Sequence, residues 1–489
     1  MKIKLLIKSF LAAATACFFP LLSFAQFAPQ WNQTSNPGGV NDANAITGDA
    51  SGIYVAGTDY SPGNYEWHIE KRDLTTGALI AAFGTGGTVT SNPTSSDDEA
   101  NGITIDTSGI YVAGTELMCL GCDAKWHIEK YNLTTGALIW TQTSNPSLTP
   151  DGSNTITVDT SGIYVAGTVG VSIFNCAWRV EKRSLTTGVP IWGQTIDVSP
   201  ALDIPYAIAA DTSGIYVAGF DFSSGNEQWR IEKRDLNTGL LIWAQASNPS
   251  VNPDYAQAIT ADAGGIYVAG FDMIPGNTDP EWRIEKRDLT AGALVASFGT
   301  GGVISSNPTT DVDYANAITV NASGIYIAGT DMTPGNEEWR IEKRDLTTGA
   351  LTCSVTSNAS ASSDETYAIA IDTSGIYVAG IDFIPGNEEW RIEKYDLCSI
   401  VSVESISPGH DIFSVYPNPF SSEAVLHTGM VHNATLTVEN IFGQVVRQVE
   451  NIRGASVILN RGNLPAGIYF MQLTGDNNII AVKKFVIAD

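Results

Sequence analysis

The chain has 489 residues, with 26 Lys plus Arg against 52 Asp plus Glu and a formal net charge of -26. A nucleic-acid partner is excluded as an expectation, because binding a phosphate backbone needs clustered positive charge. With 43 % apolar residues and 47 glycines, the sequence is neither disordered nor collagen-like, and it is long enough to bury a large core.

Residues 1–25 read as a signal peptide: Lys2, Lys4 and Lys8, an apolar stretch from Ser9 to Phe24, then the small residues Ser23 and Ala25 before a cut. Cys17 after Ala-Thr-Ala suggests lipoprotein processing as an alternative, but the apolar run continues to Phe24. A mature chain starting near Gln26 has no further run of the roughly 18 apolar residues that a membrane helix needs, so no transmembrane segment is expected in it. Cys119, Cys122, Cys176, Cys353 and Cys398 remain, and export permits disulfides. No second Cys pair or nearby His completes a metal site around Cys119-x-x-Cys122. A local disulfide there, or a bridge to Cys176 in the equivalent loop of the next repeat, is the expectation.

The phrase Gly-Ile-Tyr-Val-Ala-Gly begins at Gly52, Gly109, Gly162, Gly214, Gly265 and Gly375, with an Ile variant at Gly324. Successive copies lie 51 to 59 residues apart, and the two longest intervals follow the units that contain Phe-Gly-Thr-Gly-Gly, at Phe83 and Phe298. Each unit divides into four strand-like runs separated by turn signals. In the fifth they are Ala258 to Ala261, Gly265 to Gly270, Trp282 to Asp288 and Ala293 to Ser297. Four strands in about 50 residues is the period of a β-propeller blade, whose faces are buried only by stacking on neighbours.

The seventh unit stops after Trp390 to Leu397 and lacks a fourth strand, whereas Trp31-Asn32-Gln33-Thr34-Ser35-Asn36-Pro37 matches the fourth-strand pattern of Trp140 to Pro146. The N-terminal segment is therefore expected to complete the last blade, which removes both open sheet edges. The predicted fold is all-β: a seven-bladed β-propeller over residues 26–398. Seven tryptophans open the third strands (Trp67, Trp126, Trp178, Trp229, Trp282, Trp339, Trp390), and Trp31, Trp140, Trp192 and Trp243 lie in fourth strands. Recurrence at fixed strand positions predicts packing between blades rather than a ligand-binding ladder.

Gly-Ile-Tyr-Val-Ala-Gly followed by Asp-Leu-Thr-Thr-Gly-Ala-Leu-Ile-Trp resembles the quinoprotein-type blade, and Phe-Gly-Thr-Gly-Gly resembles bacterial repeats of the delta-60 kind. The resemblance covers residues 27 to about 398 and implies a fold rather than an activity. No unit displays the calcium and carboxylate constellation that a quinone cofactor requires, so none is expected.

Ser-rich sequence over residues 399–410 reads as a linker, and residues 411–489 as a small β-sandwich (Ig-like) domain of short strands with Gly and Pro turns. Tyr416-Pro417-Asn418-Pro419-Phe420, a middle Gly443-x-x-Val446, Leu464-x-x-Gly467-x-Tyr469 and a terminal strand with Lys483 resemble the C-terminal sorting domain of the type IX secretion system of Bacteroidota. That resemblance implies the secretion machinery as a partner, export across the outer membrane, removal of the domain, and release or surface attachment. Without the family, the same residues describe a β-sandwich, adhesive at most.

Loops between second and third strands, and between successive blades, should share one face, which the insertions are expected to mark and where ligand contact is expected. Of the propeller's 18 basic residues, 17 lie in the seven Trp-x-Ile-Glu-Lys-Arg segments, and the exception is Lys125. Acidic residues on the loop face, such as Asp59, Asp221, Asp272, Asp331 and Asp382, are thus expected to be uncompensated, and the Glu-Lys pairs to bridge blades. Five residues before the Ile of each first strand stand Asn41, Asp98, Asp151, Asp203, Asp254, Asp313 and Asp364. They predict a ring of carboxylates at the channel mouth. Either the ring binds calcium through oxygen ligands, or each Asp caps its own loop through backbone N–H groups.

His68 and His127 replace Arg in two third strands, and His410, His427 and His432 lie in the linker and tail, so no metal motif or Ser-His-Asp set emerges. The functional expectation is a non-catalytic, exported or cell-surface binding protein with an unknown glycan or protein ligand. Its competitors are a paired-carboxylate carbohydrate enzyme and a structural surface-layer component.

Overall fold

A computed structural model describes residues 26–36, 39–60, 63–116, 124–172, 174–273, 279–307, 309, 311–332, 336–384, 387–398, 414–440, 444–475 and 478–488. The expected signal peptide, the linker, Cys119, Cys122, Gly443 and His410 lie outside them. The chain forms two compact units, Met1–Ile400 and Val401–Asp489. All regular structure among the described residues is strand.

The first unit holds seven antiparallel four-stranded sheets. Blade one runs Asn41–Asp49, Gly52–Asp59, Glu66–Arg72, Thr88–Ser91. The first strands of blades two to seven are Asp98–Asp106, Gly152–Asp159, Ile204–Asp211, Asp254–Asp262, Asp313–Asn321 and Asp364–Ile371. Each packs beside the first strand of the next blade, and the seventh beside the first, so together they ring a central lumen. Second strands such as Gly52–Asp59 are buried along their whole length, which is why Gly-Ile-Tyr-Val-Ala-Gly is a continuous apolar run. All seven third-strand tryptophans are fully buried.

Blade seven is completed from the other end of the chain. Pro29–Ser35 pairs antiparallel with Asn387–Tyr395, with Gln33 opposite Ile392 and Ser35 opposite Trp390. The same strand grips blade one: Trp31 Nε1 donates to the Leu74 carbonyl at 3.2 Å and Gln33 Nε2 to the Thr76 carbonyl at 3.1 Å.

Trp-x-Ile-Glu-Lys-Arg is the bracket between blades. In blade five, Glu285 accepts from Arg283 and Arg287 of its own strand at 2.8 and 2.6 Å, and from Ser247 Oγ of blade four at 2.7 Å. Lys286 Nζ reaches forward to the Leu346 carbonyl of blade six at 2.6 Å. Trp282 Nε1 reaches the Thr330 carbonyl of the same blade at 3.4 Å. The Glu-Lys pair therefore does bridge blades, but the glutamate holds the preceding blade and the lysine the following one.

The insertions lie elsewhere than expected. Phe-Gly-Thr-Gly-Gly falls between the third and fourth strands, after Glu66–Arg72 and before Thr88–Ser91, on the face opposite the loops between second and third strands. Its role is packing: Phe83 and Phe298 are fully buried. A Cβ on the turn glycines Gly188, Gly239 and Gly292 would strike Trp140, Trp192 and Trp243, whereas at Gly136 and Gly349 it would strike Val89 and Ile304 and crowd Phe83 and Phe298 beside them. The phenylalanine thus replaces the fourth-strand tryptophan in blades one and five. These turn glycines have φ near +70°, so both space and backbone require glycine.

Cys353 takes the tryptophan position of blade six and forms a disulfide with Cys398, just beyond the last strand of blade seven, with Cα atoms 6.5 Å apart. Closing a loop with 45 residues of separation removes denatured-state entropy worth about 4 kcal/mol in the chain-entropy account. Among the described residues Cys176 is a free thiol; Cys119 and Cys122, on which both expected pairings depend, lie outside them.

The second unit has the strands Ser414–Tyr416, Glu423–Asn440, Val445–Asn460, Gly467–Gly475 and Asn478–Ile487 in one folded sheet. The long second strand bends at register shifts between His427 and Leu436. Its first half pairs with Ser414–Tyr416 and its second with Gly467–Gly475, which encloses a core around Leu426, Leu436, Met471 and Phe485.

Candidate functional site

The Asp register is buried. Asp98, Asp203, Asp254, Asp313 and Asp364 are fully buried, and Asp151 nearly so. Their carboxylates turn into their own loops. Asp203 accepts from the N–H groups of Val198, Ser199 and Phe222 and from Ser199 Oγ, at 2.7 to 3.2 Å. Asp98 and Asp313 hold Thr94 and Thr309, Asp151 holds Ser147 and Gly170 N–H, and Asp364 holds Ala359 and Ser360. Among the described residues no three His, Cys, Asp or Glu side chains converge as metal ligands.

Three of the acidic residues after the second strands have arginine partners, contrary to expectation. Arg230, Arg283 and Arg340 reach Asp221, Asp272 and Asp331 at 3.3, 3.1 and 3.3 Å. Arg391 reaches Asp364 at 3.3 Å. His127 stands in for arginine: burial pushes its pKa down, but hydrogen bonds to Glu116 and Glu129 outweigh this and lift it to about 9. The second position of Trp-x-Ile-Glu-Lys-Arg is thus the counter-charge for the loop face, a pairing across strands that linear spacing does not display.

Asp254 and Asp272 face each other across strands, and Asp254 Oδ2 and Asp272 Oδ1 have no hydrogen-bond partner among the described residues. Burial first, and Asp272 second, raise Asp254 to about 6, against contacts from Met273 and Ser250 that lower it. A carboxyl raised in the fold binds more protons than in the unfolded chain between about pH 4 and 6, so its contribution to stability falls as pH rises through that window. Blade one already has Asn41 opposite Asp59 at this position. Asp254→Asn is therefore expected to stabilise the protein by about 1–2 kcal/mol at pH 7.5, and to lose that advantage at pH 4.5. Denaturant titrations at both pH values check this; equal shifts at both would contradict it.

Because Asp and the residue two later are buried, strand alternation turns the residues one and three later toward the lumen. The third falls at a β-bulge in every blade, and bulges re-aim side chains. In blades one, two, three and six it is asparagine, and Asn44, Asn101, Asn154 and Asn316 each donate to a carbonyl of the following blade at 2.8 to 3.1 Å. Blades four, five and seven depart from this, with Tyr206, Gln257 and Tyr367. All three line one cavity of about 500 Å³, together with the regular Asn316 and with Phe271, Tyr314, Thr330, Glu337 and Glu365.

The position one after Asp polarises the ring. Gly152, Ile204, Tyr255 and Tyr314 form an apolar arc in blades three to six, while Glu365, Asp42 and Glu99 form an acidic arc in blades seven, one and two. On the apolar side, Tyr206, Phe220, Tyr255, Phe271 and Tyr314 make a continuous series of ring contacts at 4.8 to 5.8 Å. On the acidic side, burial raises Asp42 to about 6, aided by Glu388, Glu99 and Glu365. Burial likewise raises Glu365, aided by Glu337 and Glu388. Sequence reasoning expected a central channel with a carboxylate ring at its mouth but missed this lining. Its signals were Phe220 and Phe271 after Gly-Ile-Tyr-Val-Ala-Gly, where four blades have Thr, and the three departures from asparagine.

In the tail, Phe420 is buried and stacks on Phe485 at 5.7 Å, as does Tyr469 at 5.5 Å. Asn418 Oδ1 accepts from Val486 N–H at 2.8 Å. Tyr469 OH donates to the Pro465 carbonyl at 2.9 Å, Leu464 packs on the core, and Gly467 opens its strand. Tyr416, Pro417, Pro419 and Lys483 are exposed. The motif therefore builds this small domain, with Tyr416 and its prolines left at the surface.

Residues 414–488 match the family described as "Secretion system C-terminal sorting domain", so the chain carries a type IX sorting tail and is exported to the cell surface or beyond. A curated "Endo-acting ulvan lyase" of Formosa agariphila is 27% identical over 92 residues, a match spanning 18% of this chain and 18% of that protein. Among solved structures, a quinohemoprotein alcohol dehydrogenase of Pseudomonas putida HK5 is 9% identical, covering 75% of this chain and 68% of that one with a TM-score of 0.39. A subtype N10 neuraminidase-like protein of A/little yellow-shouldered bat/Guatemala/060/2010 is also 9% identical, covering 76% and 99% with a TM-score of 0.39.

Proposed function

We propose that this chain is a non-catalytic, exported binding protein of Bacteroidota type: a seven-bladed propeller of quinoprotein-like and delta-60-like repeats that takes its ligand in the lumen. In this reading residues 1–25 are the signal peptide, 399–410 the linker, and 411–489 the part that engages the secretion machinery. The Asp register brackets loops, and neither calcium nor another resident cofactor takes part. The supporting observation is the cavity at Tyr206, Gln257 and Tyr367, where an otherwise uniform ring departs from its repeat and gathers aromatic, amide and carboxylate groups. Such a lining suits a ligand that stacks and hydrogen-bonds.

The test is retention of residues 26–489 on a panel of immobilised polysaccharides, with calcium and then with a chelator. Selective retention that survives chelation and falls in Tyr206→Ala is expected. Retention untouched by that substitution would remove the ligand from the lumen. A hydrolytic or lyase reading has one observation in its favour, the raised Asp42 among Glu388, Glu99 and Glu365. Release of oligosaccharide during the same assay would establish it in place of binding alone.

A further inference from the structure

The cavity straddles the boundary between the two arcs. Tyr314 and Phe271 come from the aromatic series and Glu365 from the acidic arc, while Glu337 is supplied by the third strand of blade six. Thr330, only 2% exposed, also lines the cavity, and its hydroxyl has no hydrogen-bond partner among the described residues. A buried hydroxyl left unmatched costs free energy that a ligand group can recover. The propeller's basic residues, all but Lys125, stay within the third-strand brackets, so the cavity lining contains none.

Resting on the binding reading above, we propose that this cavity recognises a protonated amino-sugar oligomer: a saccharide ring stacks on Tyr314, which Phe271 backs edge-on, its ammonium group meets Glu337 and Glu365, and Thr330 with Gln257 takes its hydroxyls. Each part of the lining selects a part of the ligand. A saccharide's C–H face suits the flat rings. A cation beside carboxylates and tyrosine faces gains from both. An anionic polysaccharide meets like charge, and a neutral one leaves the carboxylates without use. A basic peptide satisfies the charge but offers a flexible chain, which loses more rotamer freedom on binding than a sugar ring.

The experiment is calorimetric titration of residues 26–489 with glucosamine tetramer, its fully N-acetylated counterpart, a glucose tetramer and tetralysine, at two salt concentrations. The glucosamine tetramer is expected to bind tightest, N-acetylation to weaken it at least tenfold, and added salt to weaken it further. Glu365→Gln, which keeps the side chain's shape, is expected to weaken it about tenfold, and Glu337→Gln provides the same check if the first variant melts early. Equal binding of the acetylated or glucose oligomer, or tighter binding of tetralysine, would overturn the proposal. So would no binding by any of the four; the broader binding reading then still stands if the same preparation is retained on another polysaccharide.

Discussion

Removal of residues 26–36 is expected to destabilise the propeller by about 5 kcal/mol, chiefly through loss of buried Phe27 and half-buried Trp31, and to make it self-associate. Phe27 is 2% exposed and meets Tyr395 edge-on at 6.3 Å. Trp31 lies against Tyr377 at 6.1 Å. The strand also exchanges hydrogen bonds with blade seven through Ala28 and Asp396, and Asn32 donates to Glu393 at 3.0 Å. Without it, Asn387–Tyr395 becomes an open edge, and an open edge templates pairing with another chain. Denaturant unfolding and light scattering read the two effects. A peptide of residues 26–36 added in trans should reverse both, and an unchanged midpoint would show that the strand is not the clasp.

Glu285→Ala is expected to cost about 3–5 kcal/mol, since removing one member of a buried ion pair leaves the other charge uncompensated. Glu285 is fully buried between Arg283 and Arg287. Burial alone pushes its carboxyl up, but Arg287 and Arg283 outweigh this and hold it below the ordinary glutamate range. Its contribution is present above the unfolded pKa and is lost as pH falls through the lower folded value. Glu285→Gln, which retains an acceptor for the Ser247 hydroxyl, should cost less than the alanine variant. Equal costs would locate the effect in packing rather than charge.

The architecture was legible because the repeat states it seven times. Gly-Ile-Tyr-Val-Ala-Gly marks the second strand of each of seven sheets, and the orphan Trp31-Asn32-Gln33 pattern marks the missing fourth strand that closes blade seven. The site was less legible because it depends on side-chain direction within one strand. The conspicuous Asp register drew attention, yet alternation turns those residues into their own loops and their neighbours, Glu365 or Tyr314, toward the lumen. The bulge that re-aims Tyr206 and Tyr367 involves register against a partner strand, which linear sequence does not carry. Pairing of Cys353 with Cys398 was hidden for a similar reason: the two meet only because the outer strand of blade six lies beside the chain as it leaves blade seven.

That disulfide also sets where mechanical load enters. Residue 398 is the last of the propeller described before the chain continues to the sorting tail. Were the tail fixed to a surface, tension drawn through residue 399 would pass at Cys398 into the sulfur–sulfur bond and thence to Cys353 in Leu351–Ser357. Asn387–Tyr395 and its hydrogen-bonded seam with Pro29–Ser35 would lie off that path. A pull that would unzip the ring strand by strand is thereby met first by a covalent link to the neighbouring blade, and reduction of the link would turn a shear-resistant attachment into one that peels.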